Sequence, residues 1–179
     1  MSSSIPLNRL DEGIQVAIDN AAEYLKDAVF LDNNKRHSSS ILLSMLSYEE
    51  SGKALLLMDY KSKGKPVTKN QWKKKFCNHK TKNLISLRAI WQDAGYISDL
   101  ADSDISMSKF DVDWKNVFTY ADYDFENEKW TDPNEPSSFR GGSAESFSLS
   151  SMRRASAALE CIIKRLKHLV EEREKASTK

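Results

Sequence analysis

The chain has 179 residues, of which 40% are hydrophobic and 30% charged, with a formal net charge of +1. That length supports one domain with a real core and no need for disulfides or metals, and the six Gly and four Pro argue against a turn-rich β fold. The near-neutral charge excludes a uniformly basic nucleic-acid footprint, so any RNA or DNA contact has to come from a local patch. Cys77 and Cys161 are far apart and lack metal-ligand spacing, as expected of buried or idle thiols in a reducing cytoplasm.

The opening residues, Met1 to Pro6, have neither a basic nor an apolar block and do not read as a secretory signal. Apolar runs such as Ile41 to Leu46 are too short to cross a bilayer, so no membrane association is expected.

The first predicted helix spans about 8–32. Ile14, Ala17, Ile18, Ala21, Leu25 and Ala28 recur at spacings of three and four, and Asp32-Asn33-Asn34 ends the pattern. The second, about 36–62, is apolar on most of its circumference, which marks the central helix of a bundle. Lys63-Gly64-Lys65-Pro66 stops it.

The third predicted helix spans about 68–94, with Thr68 as N-cap and Gly95 as stop. Between 96 and 142 the periodicity weakens. Phe110 to Tyr120 suits a short helix, and Tyr120 to Arg140, rich in aromatics, acids and Pro, suits an ordered loop or a short hairpin. The last helix, about 146–175, carries Ala155, Leu159, Ile162, Ile163, Leu166 and Leu169 as its stripe. The sum is an all-α, antiparallel bundle of four to five helices in one domain, 1–179, with a loop-rich insertion before the last helix.

Chemistry is most legible in the middle of the second helix, where Tyr48-Glu49-Glu50-Ser51-Gly52-Lys53 interrupts two apolar halves. Acids and a lysine in the most hydrophobic helix are costly unless paired, and Lys53 is within helical reach of both Glu49 and Glu50. Gly52 weakens a helix by roughly 1 kcal/mol relative to Ala, so its use is to admit another helix or a ligand. The other reading is an exposed Glu–Lys pair on a solvated stripe.

The third helix offers Cys77-Asn78-His79-Lys80-Thr81-Lys82. Imidazole exchanges protons near neutral pH. If the second and third helices pack antiparallel, Glu50, Lys53, His79 and Lys82 converge as base, orienting group and phosphate-binding cations. The plainer alternative is a partly buried His79 among solvated lysines. Lys73, Lys74, Lys75 and Lys80, interleaved with Trp72 and Phe76, form either an RNA-contacting stripe or the wet face of an amphipathic helix. Metal chemistry is not expected: Glu50 is followed three residues later by Lys53 rather than His, and no zinc spacing, P-loop or dinucleotide fingerprint is present.

Several segments together resemble the AbiV-type branch of the HEPN superfamily, the bacterial abortive-infection proteins. They are Asn20-Ala21-Ala22-Glu23-Tyr24-Leu25-Lys26-Asp27-Ala28, Ser47-Tyr48-Glu49-Glu50-Ser51-Gly52-Lys53-Ala54, Phe76-Cys77-Asn78-His79-Lys80-Thr81-Lys82, and Tyr120-Ala121-Asp122-Tyr123 with Trp130 and Pro133. The Glu49 to Lys53 element is the most specific of them. The resemblance implies a HEPN-type bundle that dimerises, with a site in or near the dimer cleft. It also implies a cytoplasmic role in which a phage component triggers shutdown of host translation.

Many HEPN proteins are metal-independent ribonucleases with an arginine, four to six residues, then a histidine. None of His37, His79 or His168 stands in that spacing here. Two functions follow as expectations. One is a ribonuclease or translation inhibitor without cofactor, using Glu50, Lys53, His79 and Lys82 on RNA or the ribosome. The other is a non-enzymatic module that blocks its target by occupancy, with Glu49, Glu50 and Lys53 as a buried network that sets helix register; Tyr48, Glu49 and Gly52 are structural or secondary positions of the site.

Overall fold

The computed structural model describes residues 4–93, 95, 122–124, 129–131 and 144–177. A 3-10 turn, Leu7–Arg9, leads into α1, Leu10–Asn33. Three residues then reverse the chain into α2, His37–Ser62. Both helices close with the same device. At the end of α1, Lys35 N–H donates to Asp32 O and Arg36 N–H to Leu31 O. At the end of α2, Gly64 donates to Lys61 O and Lys65 to Tyr60 O. This closure needs a left-handed residue after the last turn. Gly64 takes it at φ 61° without a Cβ penalty, whereas Lys35 takes it at φ 60° with one.

The stretch expected as one helix over 68–94 is divided. Thr68 caps a single turn, α3 (Lys69–Gln71), in a reciprocal capping box with Gln71. The chain then widens into a π turn over Trp72–Phe76, where Cys77 N–H donates to Trp72 O, five residues back. A new helix, α4 (His79–Asp93), starts where Asn78 Oδ1 accepts from Thr81 N–H. His79 therefore opens a helix instead of lying in the middle of one. Ser4–Ile5 (β1) and Val67–Thr68 (β2) form a short antiparallel pair in the register Ser4 to Thr68 and Ile5 to Val67.

Within the expected insertion, Asp122–Asp124 (β3) and Lys129–Thr131 (β4) pair as a hairpin, with Tyr123 opposite Trp130. The expected short helix at Phe110 to Tyr120 lies outside the described residues. The last helix, α5, runs from Ala144 to Ser177. The architecture is all-α, with two minimal strand pairs among the described residues.

Helix α2 is the hub and packs against α1, α4 and α5. Leu10, Ile14, Leu55, Leu57, Val67, Phe76 and Ile162 are core residues. Fully burying a side chain of this kind contributes about 1.5–3 kcal/mol. The contact with α1 is made close by small residues. Ser40, Ser44, Ser47 and Ser51 are fully buried on α2, and Ala17, Ala21 and Ala28 are buried on α1; Ser40 instead accepts from Ser148 Oγ of α5 at 2.8 Å. Ser47 Oγ donates to Ala21 O at 2.7 Å, so the approach is closed by a hydrogen bond and not only by contact. Ile163, expected in the core stripe of α5, is 46% exposed, whereas Ala155, Leu159 and Ile162 are buried as expected. Among the described residues, no helix is long and apolar enough to cross a membrane.

Candidate functional site

Where α2 meets α4, the two backbones approach too closely for any side chain between them. A Cβ on Gly52 would lie 2.1 Å from the carbonyl oxygen of Lys82 and 2.9 Å from Ser86 Oγ. Ser86 Oγ in turn donates to Tyr48 O at 2.8 Å, tying the two helices together beside the glycine. This crossing fixes which side chains of the two helices meet.

The meeting point is Glu49. Its carboxylate is 3% exposed, and it lies against two nitrogen-bearing side chains from α4. Glu49 Oε2 is 2.6 Å from His79 Nδ1 and 3.2 Å from Lys82 Nζ. Lys82 is buried as well, with 7% of its side chain exposed, so the Glu49–Lys82 pair supplies the neutralisation that a carboxylate in a helix core requires. His79 differs from both, because half of its side chain is exposed. An ionised carboxylate can only accept, so the proton between Glu49 and His79 sits on Nδ1. The neutral ring then carries its lone pair on Nε2. The arrangement is a buried acid that sets the tautomer of a solvent-reachable base.

Glu50 and Lys53 are elsewhere. Adjacent helix positions point about 100° apart, and Glu50 faces α1 while Glu49 faces α4. Lys53 Nζ is 2.6 Å from Glu50 Oε2. The two line a pocket of about 170 Å3 with Arg9, Gly13, Val16 and Trp72. The expected group of four is thus corrected to two separate sets: His79 and Lys82 converge on Glu49, and Glu50 pairs with Lys53. Glu49, expected as a secondary residue, is the centre of the first set.

The expected basic stripe is also divided. Lys73, Lys74 and Lys80 are exposed, and Lys80 stands beside His79. The ammonium of Lys75 lies over the Tyr60 ring, 5.4 Å from its centroid. Phe76 is buried, and Trp72 stacks on it at 4.8 Å. Phe76 thus belongs to the core, and Trp72 packs against it. No cluster of three or more His, Cys, Asp or Glu able to hold a metal occurs among the described residues. Burial pushes the Cys161 thiol above the usual thiol range, with Asp93 adding to the effect, while Cys77 is exposed.

The helical hub, the Glu49–Gly52 element and the histidine segment of α4 lie within the part of the chain that a HEPN-type family model matches. The family model of AbiV matches residues 9–138, and the chain belongs to that family, among the abortive-infection proteins of phage defence. No curated protein and no solved structure matches the chain closely enough to count as a relative.

Proposed function

We propose that the chain acts in phage defence as a metal-independent endoribonuclease that shuts down translation, with the Glu49–His79 pair as its catalytic base. The observation that carries this reading is a half-exposed imidazole held by a buried carboxylate. His79 Nε2 takes the proton of a ribose 2′-hydroxyl. The 2′-oxygen attacks the adjacent phosphorus, and the 5′-oxygen of the next nucleotide leaves as its bond to phosphorus breaks, taking a proton from solvent water. The products are a 2′,3′-cyclic phosphate and a 5′-hydroxyl end. Lys80, with Lys73 and Lys74, attracts the RNA backbone. Glu49 orients the ring and stabilises its charged form after proton transfer, and Lys82 holds Glu49 ionised in its buried position. In this reading the protein works as a homodimer and is switched on by a phage component.

The second reading is occupancy without chemistry, and one observation favours it. Glu49 bridges α2 to α4 through two contacts, which is what a purely structural network would do. The test is incubation with total cellular RNA and phage-infected extract, with and without EDTA, beside a His79→Ala variant. Chelator-resistant cleavage leaving 5′-hydroxyl ends, lost in the variant, supports the nuclease. Unchanged RNA in every lane, with growth arrest intact in a folded His79→Ala strain, supports occupancy.

A further inference from the structure

The Glu50–Lys53 pair takes no part in the histidine site. It stands in the pocket between α1, α2 and Trp72, which measures about 170 Å3. An apolar cavity of roughly 150 Å3 holds one benzene ring, so this space admits a single ring system. Ile5, Leu10, Val16 and Leu57 give it apolar walls, and Gly13 lines it from α1 with no side chain to fill it. Trp72 adds an aromatic surface. Phe76 covers one face of the indole, so the pocket receives its other face or its edge.

The polar wall selects the ring. Only 14% of the Glu50 side chain and 23% of the Lys53 side chain are exposed, so both have lost much of their hydration. Lys53 Nζ donates to both carboxylate oxygens of Glu50, and neither side chain has another hydrogen bond among the described residues. A ligand with two adjacent N–H groups can take the fork of the carboxylate. The ammonium, on its flexible stem, then turns to a carbonyl next to them while staying beside Glu50. Two acceptors beside one donor complement the edge of guanine: the 2-amino group, N1–H and O6. Adenine offers one amino group beside an acceptor nitrogen, uracil one N–H between two carbonyls, and cytosine one amino group beside two acceptors. Arg9, at the rim, is engaged by Glu12 and is not needed for this recognition.

We propose that this pocket binds a guanine base, with Glu50 accepting from N1–H and the 2-amino group, Lys53 donating to O6, and Trp72 and Val16 flanking the ring. The pocket lies on the α1 side of α2, apart from His79, so the proposal does not rest on the nuclease reading. The test is calorimetric titration of the whole chain with the 5′-monophosphates of guanosine, inosine and adenosine, whose shared phosphate cancels. Wild type and His79→Ala are expected to bind the guanosine nucleotide saturably. Inosine lacks the 2-amino group and is expected to bind about tenfold more weakly, the worth of one hydrogen bond to a charged group. Folded Glu50→Gln is expected to lose the preference for guanosine over inosine. Val16→Trp, which puts a large side chain into an exposed wall of the pocket, is expected to abolish binding. A short single-stranded RNA with one guanosine identifies the source. Tighter binding than the monophosphate, lost on replacing that guanosine by inosine, marks an RNA residue; binding of the monophosphate alone marks a free nucleotide. Equal binding of the three monophosphates, no binding by wild type, or unchanged binding by Val16→Trp overturns the proposal.

Discussion

Replacing Gly52 by alanine tests the crossing on which the histidine site depends. The new Cβ would stand 2.1 Å from the Lys82 carbonyl oxygen and 2.7 Å from its carbon. Real Cβ atoms almost never come within 3.0 Å of such atoms, so α2 and α4 must separate by roughly 1 Å. The obstacle is backbone and cannot swing aside. Alanine returns roughly 1 kcal/mol of helix propensity. Against this stand overpacking, about 1–3 kcal/mol, and a strained Ser86–Tyr48 hydrogen bond, about 1 kcal/mol. The net expectation is a destabilisation of about 1–3 kcal/mol, or several degrees in melting temperature for a chain of this size. The same shift pulls Lys82 and His79 away from Glu49. Gly13→Ala is the control, because its Cβ would meet only the end of the Leu57 side chain at 3.3 Å. That change is expected to be neutral or stabilising by up to about 1 kcal/mol. Urea unfolding of both variants measures the difference. A Gly52→Ala protein at least as stable as wild type would refute the close crossing.

Other expectations follow from the same geometry. Lys35→Gly removes the left-handed strain at the α1–α2 corner and should raise stability by about 1 kcal/mol in urea unfolding; a loss would contradict the closure described. Lys82→Met leaves the Glu49 carboxylate buried without its ammonium partner and should cost about 3–5 kcal/mol. The double variant Glu49→Met with Lys82→Met should cost less than Lys82→Met alone, and strict additivity would argue against the pair. In a thiol-reagent assay of the native protein, Cys77 should react promptly while Cys161 stays silent until unfolding. Because burial raises the Cys161 thiol, its contribution to stability is present at neutral pH and is lost as the pH climbs past the thiol's unfolded value.

How much of this was legible in the sequence depended on whether the signal was periodic. The stripes on α1 and α5 are spaced at three and four, and their residues are largely buried where expected. Ile163 fails because the buried face of α5 at this turn is set by Ala158, Leu159, Cys161 and Ile162, and Ile163 lies about 100° beyond Ile162, towards solvent. Helix α2 is apolar all round, so no face could be assigned from its pattern, and Glu49 and Glu50 could not be told apart. That ambiguity is why the sequence reading groups Glu50 with His79, whereas the structure sets Glu49 beside it. The serines at 40, 44, 47 and 51 carried a readable spacing of four, three and four, but polar residues are not ordinarily sought in a core. The π turn was hidden because Trp72 and Phe76, four apart, look like an ordinary helical pair. Asn78, which caps α4, was the one local sign of a break there.

The account turns on Glu49 holding the proton of His79 at Nδ1 and leaving Nε2 open as the base. Long-range nitrogen–proton NMR of the imidazoles, with the His79 signals assigned by loss in a His79→Gln variant, reads this directly. The account predicts that neutral His79 is the Nδ1–H tautomer, with Nε2 unprotonated. A neutral ring protonated at Nε2 would contradict it.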